Sequence, residues 1–163
     1  MNDIQHFSKL IKEIKFAMFT TISALDGSLQ SRPMSLQQAE FDGHLWFFAR
    51  NTSLMVKQIE ANSIINLAFS NPKDNSFVSA SGHAGIIEDK HKAEELWNPF
   101  LKAWFPEGLE DPELCLIQVA VESADYWESP SAPLVKLVGF AKAVLSGKKA
   151  DSTLSKKGHL NIS

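Results

Sequence analysis

The spacing of apolar residues changes from helical to strand-like within the first quarter of the chain. Apolar residues first recur every three or four positions, at Phe7, Leu10, Ile11 and Ile14. This spacing predicts an amphipathic helix, which Asn2 or Asp3 can cap. From Phe16 onward β-branched and aromatic residues predominate as far as Asp26-Gly27, a strong hairpin signal. The pattern therefore predicts helix, strand, turn and strand.

Two further strands follow from the same signals. The second strand is predicted over residues 28–38 and contains Pro33, which cannot donate to a ladder and indicates an edge, a bulge or a backbone approach to a ligand. Asp42-Gly43 then predicts a second hairpin, into a strand over residues 44–49. Three antiparallel strands in series would form a meander.

The rest of the chain adds three strands and three helices. Helices are predicted from Thr52 or Ser53 to Asn62, over residues 90–104, and over residues 134–145 before Gly147. Strands are predicted over residues 64–69, 77–88 and 114–127, and residues 159–162 suit a short edge strand. Many strands with tight turns favour a barrel, so the fold class is mainly β with helices (α+β).

Composition limits the class of protein. With 163 residues, 44% apolar and 21% charged, the chain suits one soluble globular domain. A net charge of −3 with interspersed signs argues against nucleic acid as a partner. The amino end resembles no signal peptide, and no apolar run has membrane-spanning length, so a cytoplasmic location is expected.

Cysteine and histidine give no support to metal or thiol chemistry. The single cysteine, Cys115, lies among apolar residues, which predicts a buried and inert thiol. The five histidines are scattered and lack the paired spacing of zinc ligands, so no metal site is expected. Motifs of hydrolases and nucleotide-binding loops are absent from the sequence.

The two arginines indicate an anion site. Of the 16 lysines and arginines, only Arg32 and Arg50 are arginines, and both lie between Ser31 and Asn62, a stretch that also contains the predicted helix start at Ser53. An arginine fork binds phosphate well, and a helix start offers free amides and a positive dipole end. If the second and third strands form a hairpin, these features are neighbours. The alternative is that Arg32 forms a surface ion pair and Ser53 is an ordinary cap.

The aromatic residues leave several interpretations open. Trp46, Phe47 and Phe48 are consecutive, and successive side chains of a strand point to opposite faces. The face of this strand that points away from the barrel core is therefore apolar as well. That face can be covered by a helix or a dimer partner, which we favour, or can line a flat-ring ligand. Trp127 precedes a Pro/Ser break and can be a site residue or an ordinary packed tryptophan.

The order of these motifs resembles a known family. The segments that carry the likeness are 31–34 (SRPM), 45–49 (LWFFA), 52–59 (TSLMVKQI), 78–82 (VSASG) and 125–127 (DYW). Together they resemble the pyridoxamine 5'-phosphate oxidase-like, flavin-mononucleotide (FMN)-binding split-barrel family, in its general stress protein branch. The likeness implies a six-stranded antiparallel split β-barrel with flanking helices over residues 1–147, followed by a polar tail over residues 148–163. It also implies a homodimer with FMN at the interface.

The resemblance assigns roles to particular residues. Those implied to bind the cofactor are Arg32, Pro33, Met34, Phe48, Ala49, Arg50, Ser53 and Trp127, with Lys57 as a further cation. Arg32 is the implied phosphate partner, and Trp127 is implied to cover the flavin from the other subunit.

The chain also departs from the family pattern. Many relatives carry a cation at Leu54 or Met55, and Gln37 replaces a basic residue of the vitamin-oxidising relatives. We therefore expect FMN binding, flavin-dependent oxidoreductase activity and a stress-response role, without vitamin B6 oxidation. A non-catalytic module that binds or senses flavin and a barrel that binds nothing remain the alternatives.

Overall fold

The computed structural model describes residues 2–129 and 156–162. Its helices are α1 (Asp3–Ile14), α2 (Leu54–Ala61) and α3 (Lys90–Leu96), with short 3-10 helices at Pro99–Ala103 and Gly108–Glu110. Its strands are β1 (Phe16–Ile22), β2 (Leu29–Ser35), β3 (His44–Arg50), β4 (Ile64–Asn71), β5 (Ser76–Ile87), β6 (Leu114–Glu128) and β7 (Lys156–Asn161). The helix predicted over residues 134–145 lies outside the described residues. Of the helices in the described ranges, none is long and apolar enough to cross a membrane.

The seven strands form one antiparallel sheet in the order β2-β1-β4-β5-β6-β3, with β7 paired to β6. The long strand β6 pairs with β3 through its first half and with β7 through its second half. Strands β2 and β3 therefore end the sheet on opposite sides. A hydrogen bond from Gln37 N to Trp46 O, 2.9 Å long, joins the β3 strand to the chain just after β2. This is the predicted architecture, a split antiparallel barrel with flanking helices.

The predicted three-strand meander is wrong. Strands β1 and β2 form the hairpin expected at Asp26-Gly27, but β3 pairs with β6 and not with β2. The eight residues between β2 and β3 are too many to impose a tight hairpin. Instead the Asp42 carboxylate accepts from His44 N (3.1 Å), and Gly43 O accepts from Val121 N (3.0 Å), so this turn directs the chain onto β6.

The predicted helix over residues 90–104 is also too long. Helix α3 ends at Leu96, and after Trp97 and Asn98 a 3-10 helix begins at Pro99. Proline has no amide hydrogen for the helical ladder and disfavours helical backbone in the residue before it, which accounts for the break. The side chain of Asn98 caps the new turn by accepting from Phe100 N at 3.2 Å.

The consecutive aromatic residues of β3 divide between two apolar clusters. Phe47 is fully buried in the main cluster, which α1 and α2 also line. Phe48 belongs to a second cluster, where it meets Trp97 and Phe105 edge-on or tilted. The second face of β3 is therefore covered by α3 and the 3-10 segment after it, which confirms the preferred interpretation of helix cover.

Cys115 is 3% exposed on β6, and its thiol donates to Ala49 O at 3.4 Å. Burial, together with the negative charges of Glu88 and Glu60, raises the pKa of this thiol from 9.0 to about 11. Since the thiolate is the reactive form, we expect a thiol reagent at about pH 8 to modify the native protein roughly 100-fold more slowly than the urea-unfolded chain.

The same shift sets a pH dependence of stability. Because the native pKa is above the unfolded one, the contribution of Cys115 to stability is complete below the unfolded pKa and falls as pH rises from 9.0 toward about 11. Equal modification rates in the native and unfolded states would contradict this assignment of a buried, inert thiol.

Candidate functional site

Arg32 on β2 reaches across the neighbouring strand to α2. Its Nη1 donates to Phe19 O (3.1 Å) and to Thr21 Oγ1 (2.7 Å), and its Nη2 donates to Gln58 Oε1 (3.1 Å). Thr21 is fully buried and Gln58 is 4% exposed. Arg32 therefore lies over a buried polar network that joins β1, β2 and α2.

The network has a defined orientation. Thr21 Oγ1 donates to Gln58 Oε1 at 2.6 Å, and Gln58 Nε2 donates to Gln30 Oε1 at 2.8 Å. The Gln58 carbonyl oxygen is thus directed at Arg32, while its amide group is occupied on the other side. Two strands and a helix fix the position of the guanidinium before any ligand arrives.

The acceptors around Arg32 are all neutral oxygens. Within the described ranges, no carboxylate pairs with this guanidinium, so its positive charge is uncompensated. Burial lowers the pKa of Arg32 from its ordinary value, but an arginine stays protonated in proteins. Its three hydrogen bonds to described residues leave two of the five guanidinium N–H donors available to a ligand. A partly buried cation with spare donors suits an anionic group.

Arg50 has a different environment. Its Nη1 donates to Asp111 Oδ2 (3.2 Å) and Glu113 Oε2 (3.0 Å), and its Nη2 donates to Trp104 O (2.6 Å). The guanidinium also lies 5.0 Å from the ring centre of Phe105. Two carboxylates compensate its charge, and the bonds attach β3 to the segment before β6. The structure does not bring Arg50 into the network of Arg32.

We expect Arg50→Ala to lower the free energy of unfolding by about 1 to 3 kcal/mol, because it removes the partner of the buried Asp111 carboxylate, whose side chain is 7% exposed. Urea unfolding followed by circular dichroism measures the change. Lys73→Ala, in an exposed turn, removes the same charge and should leave stability within about 0.5 kcal/mol of the wild type. Equal stabilities of the two variants would show that the Arg50 ion pairs contribute nothing.

The other predicted residues of β2 and β3 lie in different parts of the structure: the surface, the main core and the second apolar cluster. Next to Arg32, Pro33 is exposed and Met34 packs against the main core. On β3, Phe48 belongs to the second cluster and Ala49 to the main core. Among these four residues, Pro33 is exposed, Met34 is half-buried, and Phe48 and Ala49 are buried.

Helix α2 begins as the sequence predicts. Ser53 is its N-cap, and the Ser53 hydroxyl accepts from Val56 N at 3.3 Å. Met55 is buried in the main core, while Leu54 and Lys57 are exposed. Gln58 lies five residues, or about 7.5 Å, along the helix from Ser53. Arg32 therefore contacts α2 through Gln58. Among the described residues no bond joins Arg32 to the helix start at Ser53, where the prediction placed it, and the predicted hairpin between β2 and β3 does not form.

Trp127 does not join the network of Arg32. Its strand β6 is separated from β2 by three intervening strands, β1, β4 and β5. The indole is 38% exposed, pairs in register with Phe77, and has Lys157 Nζ 5.6 Å from its ring centre. In the described residues no hydrogen bond, ion pair or ring contact joins Trp127 to Arg32.

Thr21, Gln58 and Gln30 belong to the network but were not predicted as site residues. Gln58 carried a usable signal, because it lies three residues after the buried Met55 and so occupies the apolar stripe of α2. A polar side chain on a buried stripe needs a partner. The strand residues Thr21 and Gln30 carried no comparable signal.

A separate cavity of about 430 Å³ lies between α3 and the start of β6. Five of its lining residues are acidic: Glu88, Asp89, Glu94, Glu110 and Asp111. It contains none of the residues predicted to bind a cofactor. Carboxylates repel phosphate, so this cavity is a poor candidate for the anion site.

Comparison with known proteins agrees with the fold and the motifs. Residues 2–151 match the family model described as pyridoxamine 5'-phosphate oxidase like. The chain is 33% identical to the protein bli-3 of Neurospora crassa over 156 residues, which cover 90% of this chain and 75% of that protein.

Solved structures show the same fold. A Jannaschia sp. CCS1 protein described as a candidate general stress protein 26 superposes with a TM-score of 0.78 over 99% of this chain and all of that chain, at 21% identity. The general stress FMN/FAD binding protein of Xanthomonas citri has a TM-score of 0.69 and 27% identity, over 78% of this chain and 89% of that chain. This chain therefore belongs to the pyridoxamine 5'-phosphate oxidase-like family.

Proposed function

We propose that this protein is a homodimeric FMN-binding protein with flavin-dependent oxidoreductase activity. The observation that carries the proposal is the uncompensated, partly buried Arg32, held in place by neutral acceptors with N–H donors to spare. The Xanthomonas citri relative, described as FMN/FAD binding, supports a flavin as the ligand. The stress-response role that we propose rests on the general stress proteins among the structural neighbours.

The residues present fit an FMN phosphate. Arg32 would bind it through the free guanidinium donors, and the exposed Lys57 on α2 adds a second positive charge on the same helix as Gln58. Pro33 and Met34 continue β2 from Arg32 and would line the ring system. When bound, FMN supplies the electron and hydride transfer, and the protein supplies position and electrostatics.

A second subunit would complete this site. The outer face of the sheet exposes Phe16 (59%), Met18 (43%), Phe77 (37%) and Trp127 (38%), an apolar set suited to burial in a dimer. Following the family resemblance, Trp127 of the partner subunit would cover the flavin. Light scattering coupled to gel filtration tests the dimer, and a monomer at micromolar concentration would contradict it.

A non-catalytic flavin-binding module is the second candidate. One observation favours it: the groups bonded to Arg32 are a hydroxyl, an amide oxygen and a backbone carbonyl, none of which exchanges protons near neutral pH. In this alternative the same network holds FMN but does not turn over a substrate.

Two measurements test the proposal in sequence. The purified protein, incubated with FMN and desalted, should retain flavin absorbance and quench flavin fluorescence; a protein that takes up no FMN would exclude both candidates. Anaerobic addition of a reduced nicotinamide cofactor should then bleach the bound flavin. If the flavin binds but no reductant of this class bleaches it, the non-catalytic module is the better description.

A further inference from the structure

Ser63, His83 and Glu122 form a contiguous cluster that the proposed flavin site does not use. Ser63 Oγ lies 2.8 Å from His83 Nδ1, and His83 Nε2 lies 3.2 Å from Glu122 Oε1. The three residues come from the corner between α2 and β4, from β5 and from β6. Hydroxyl, imidazole and carboxylate in this order are the parts of a nucleophilic relay.

The negative charge of the carboxylate favours one tautomer of the histidine. The Glu122 carboxylate lies at ion-pair distance from Nε2, so its negative charge favours the tautomer with the hydrogen on Nε2, and Nδ1 is then an acceptor for the Ser63 hydroxyl. In this tautomer His83 is placed to take the hydroxyl proton, and Glu122 is placed to stabilise the resulting imidazolium.

A β-bulge places Glu122 beside His83. In the β5–β6 ladder Ser81 pairs with Ser123 and Gly82 pairs with Val121, so Glu122 is the extra residue of β6. Bulges redirect side chains and occur frequently next to active sites. Gly82 permits the close approach of the strands, since a Cβ there would overlap the carbonyl oxygen of Ala120. The bulge thus directs the carboxylate to the histidine.

Hydrogen bonds of the backbone fix the position of Ser63. Ser63 O accepts from Ala84 N at 2.8 Å, which ties the corner after α2 to β5 next to His83. The following residue, Ile64, donates its N–H to the Asn62 side chain at 3.1 Å. The backbone on both sides of the nucleophile is therefore fixed, while the side chains of His83 (48% exposed) and Glu122 (51% exposed) remain open to solvent.

We propose that this relay makes Ser63 a nucleophile toward small activated esters, an activity independent of the flavin. Ser63 Oγ forms a bond to the ester carbonyl carbon while its proton passes to His83 Nδ1. The ester C–O bond then breaks, and the leaving alcohol takes the proton from His83, which leaves acyl-Ser63. Water, activated by His83 in the same way, releases the acid and restores the serine.

The open position of the relay sets the substrate class. A site at the surface offers little binding energy to a large acyl chain, so esters whose leaving group departs easily, such as aryl acetates, are the expected substrates. Organophosphonates that react with activated serines should modify the same atom.

A labelling experiment tests the relay in the full-length protein. A fluorophosphonate probe should label the wild type at one position, which peptide mass spectrometry should locate at Ser63. Ser63→Ala should abolish the label, and His83→Gln should slow labelling at least 100-fold. Glu122→Gln should slow it about 10-fold, because it removes the charge that stabilises the imidazolium. Ser70→Ala, an exposed serine on β4, is the matched control and should label like the wild type.

The outcomes separate a relay from a structural cluster. A structural cluster would show destabilised Ser63→Ala, His83→Gln and Glu122→Gln variants in thermal unfolding but no label on the wild-type protein, and that result overturns the proposal. Labelling of Ser63 that His83→Gln does not slow also overturns it. FMN binding, measured on the same variants, should stay unchanged, so a failure of the flavin proposal leaves this test intact.

Discussion

Arg32→Ala should weaken FMN binding by at least about 100-fold. The two free N–H donors of the guanidinium would form charge-assisted hydrogen bonds to the phosphate, each contributing roughly 1.5 to 3 kcal/mol. On α2, Leu54 and Met55 are uncharged, and Lys57 is the one cation of that helix. The loss should therefore fall mainly on Arg32. Fluorescence titration of FMN gives the dissociation constants.

Charge-matched variants make this result specific. Lys73→Ala removes one positive charge far from the network and should leave FMN affinity within about threefold of the wild type, as expected for a screened surface charge. Arg32→Lys retains the charge but not the planar fork, so its affinity should lie between those of the wild type and Arg32→Ala. A dissociation constant for Arg32→Ala within threefold of the wild type would contradict the phosphate assignment.

A third variant tests the neutral surroundings of Arg32. Gln58→Glu places a carboxylate where the Gln58 carbonyl oxygen now accepts from Nη2, while Arg32 itself remains. The new charge would compensate the guanidinium, so FMN affinity should fall about 10-fold or more. Unchanged affinity in this variant would show that the missing carboxylate partner is incidental.

The elements that local sequence determines were predictable. The hairpin at Asp26-Gly27 and the cap at Ser53 each depend on a few adjacent residues, and both formed as expected. The pairing of β3 was not predictable from the Asp42-Gly43 turn. Its partner β6 lies some 70 residues further along the chain, and a turn signal contains no information about so distant a strand.

In the candidate site, too, local sequence predicted some features, while others depend on residues far away in the chain. The rarity of arginine singled out Arg32, but sequence could not show that Arg50 has two carboxylate partners while Arg32 has none among the described residues. That difference depends on Asp111 and Glu113, which the fold brings to β3 from more than 60 residues away. The uncompensated charge, which carries the functional proposal, is a property of the folded chain.

The β5–β6 bulge provides a strong test of the fold itself. Gly82→Ala should lower the free energy of unfolding by about 3 kcal/mol, because the added Cβ overlaps the carbonyl oxygen of Ala120 and lies 3.1 Å from the Cα of Val121. Both neighbours are backbone atoms of a paired strand, so the clash cannot be relieved by rotating a side chain. For a chain of this length, the loss corresponds to a fall in Tm of roughly 6 to 12 °C.

Gly85→Ala is the matched control on the same strand. A Cβ at Gly85 meets nothing within 4 Å, and the position is exposed. Alanine there also restricts the unfolded chain, so Tm should stay the same or rise slightly. If Gly82→Ala and Gly85→Ala unfold at the same temperature, the strands do not approach as closely as the bulge requires. A selective loss at Gly82 would show that the close approach exists in solution, and with it the geometry that directs Glu122 toward His83.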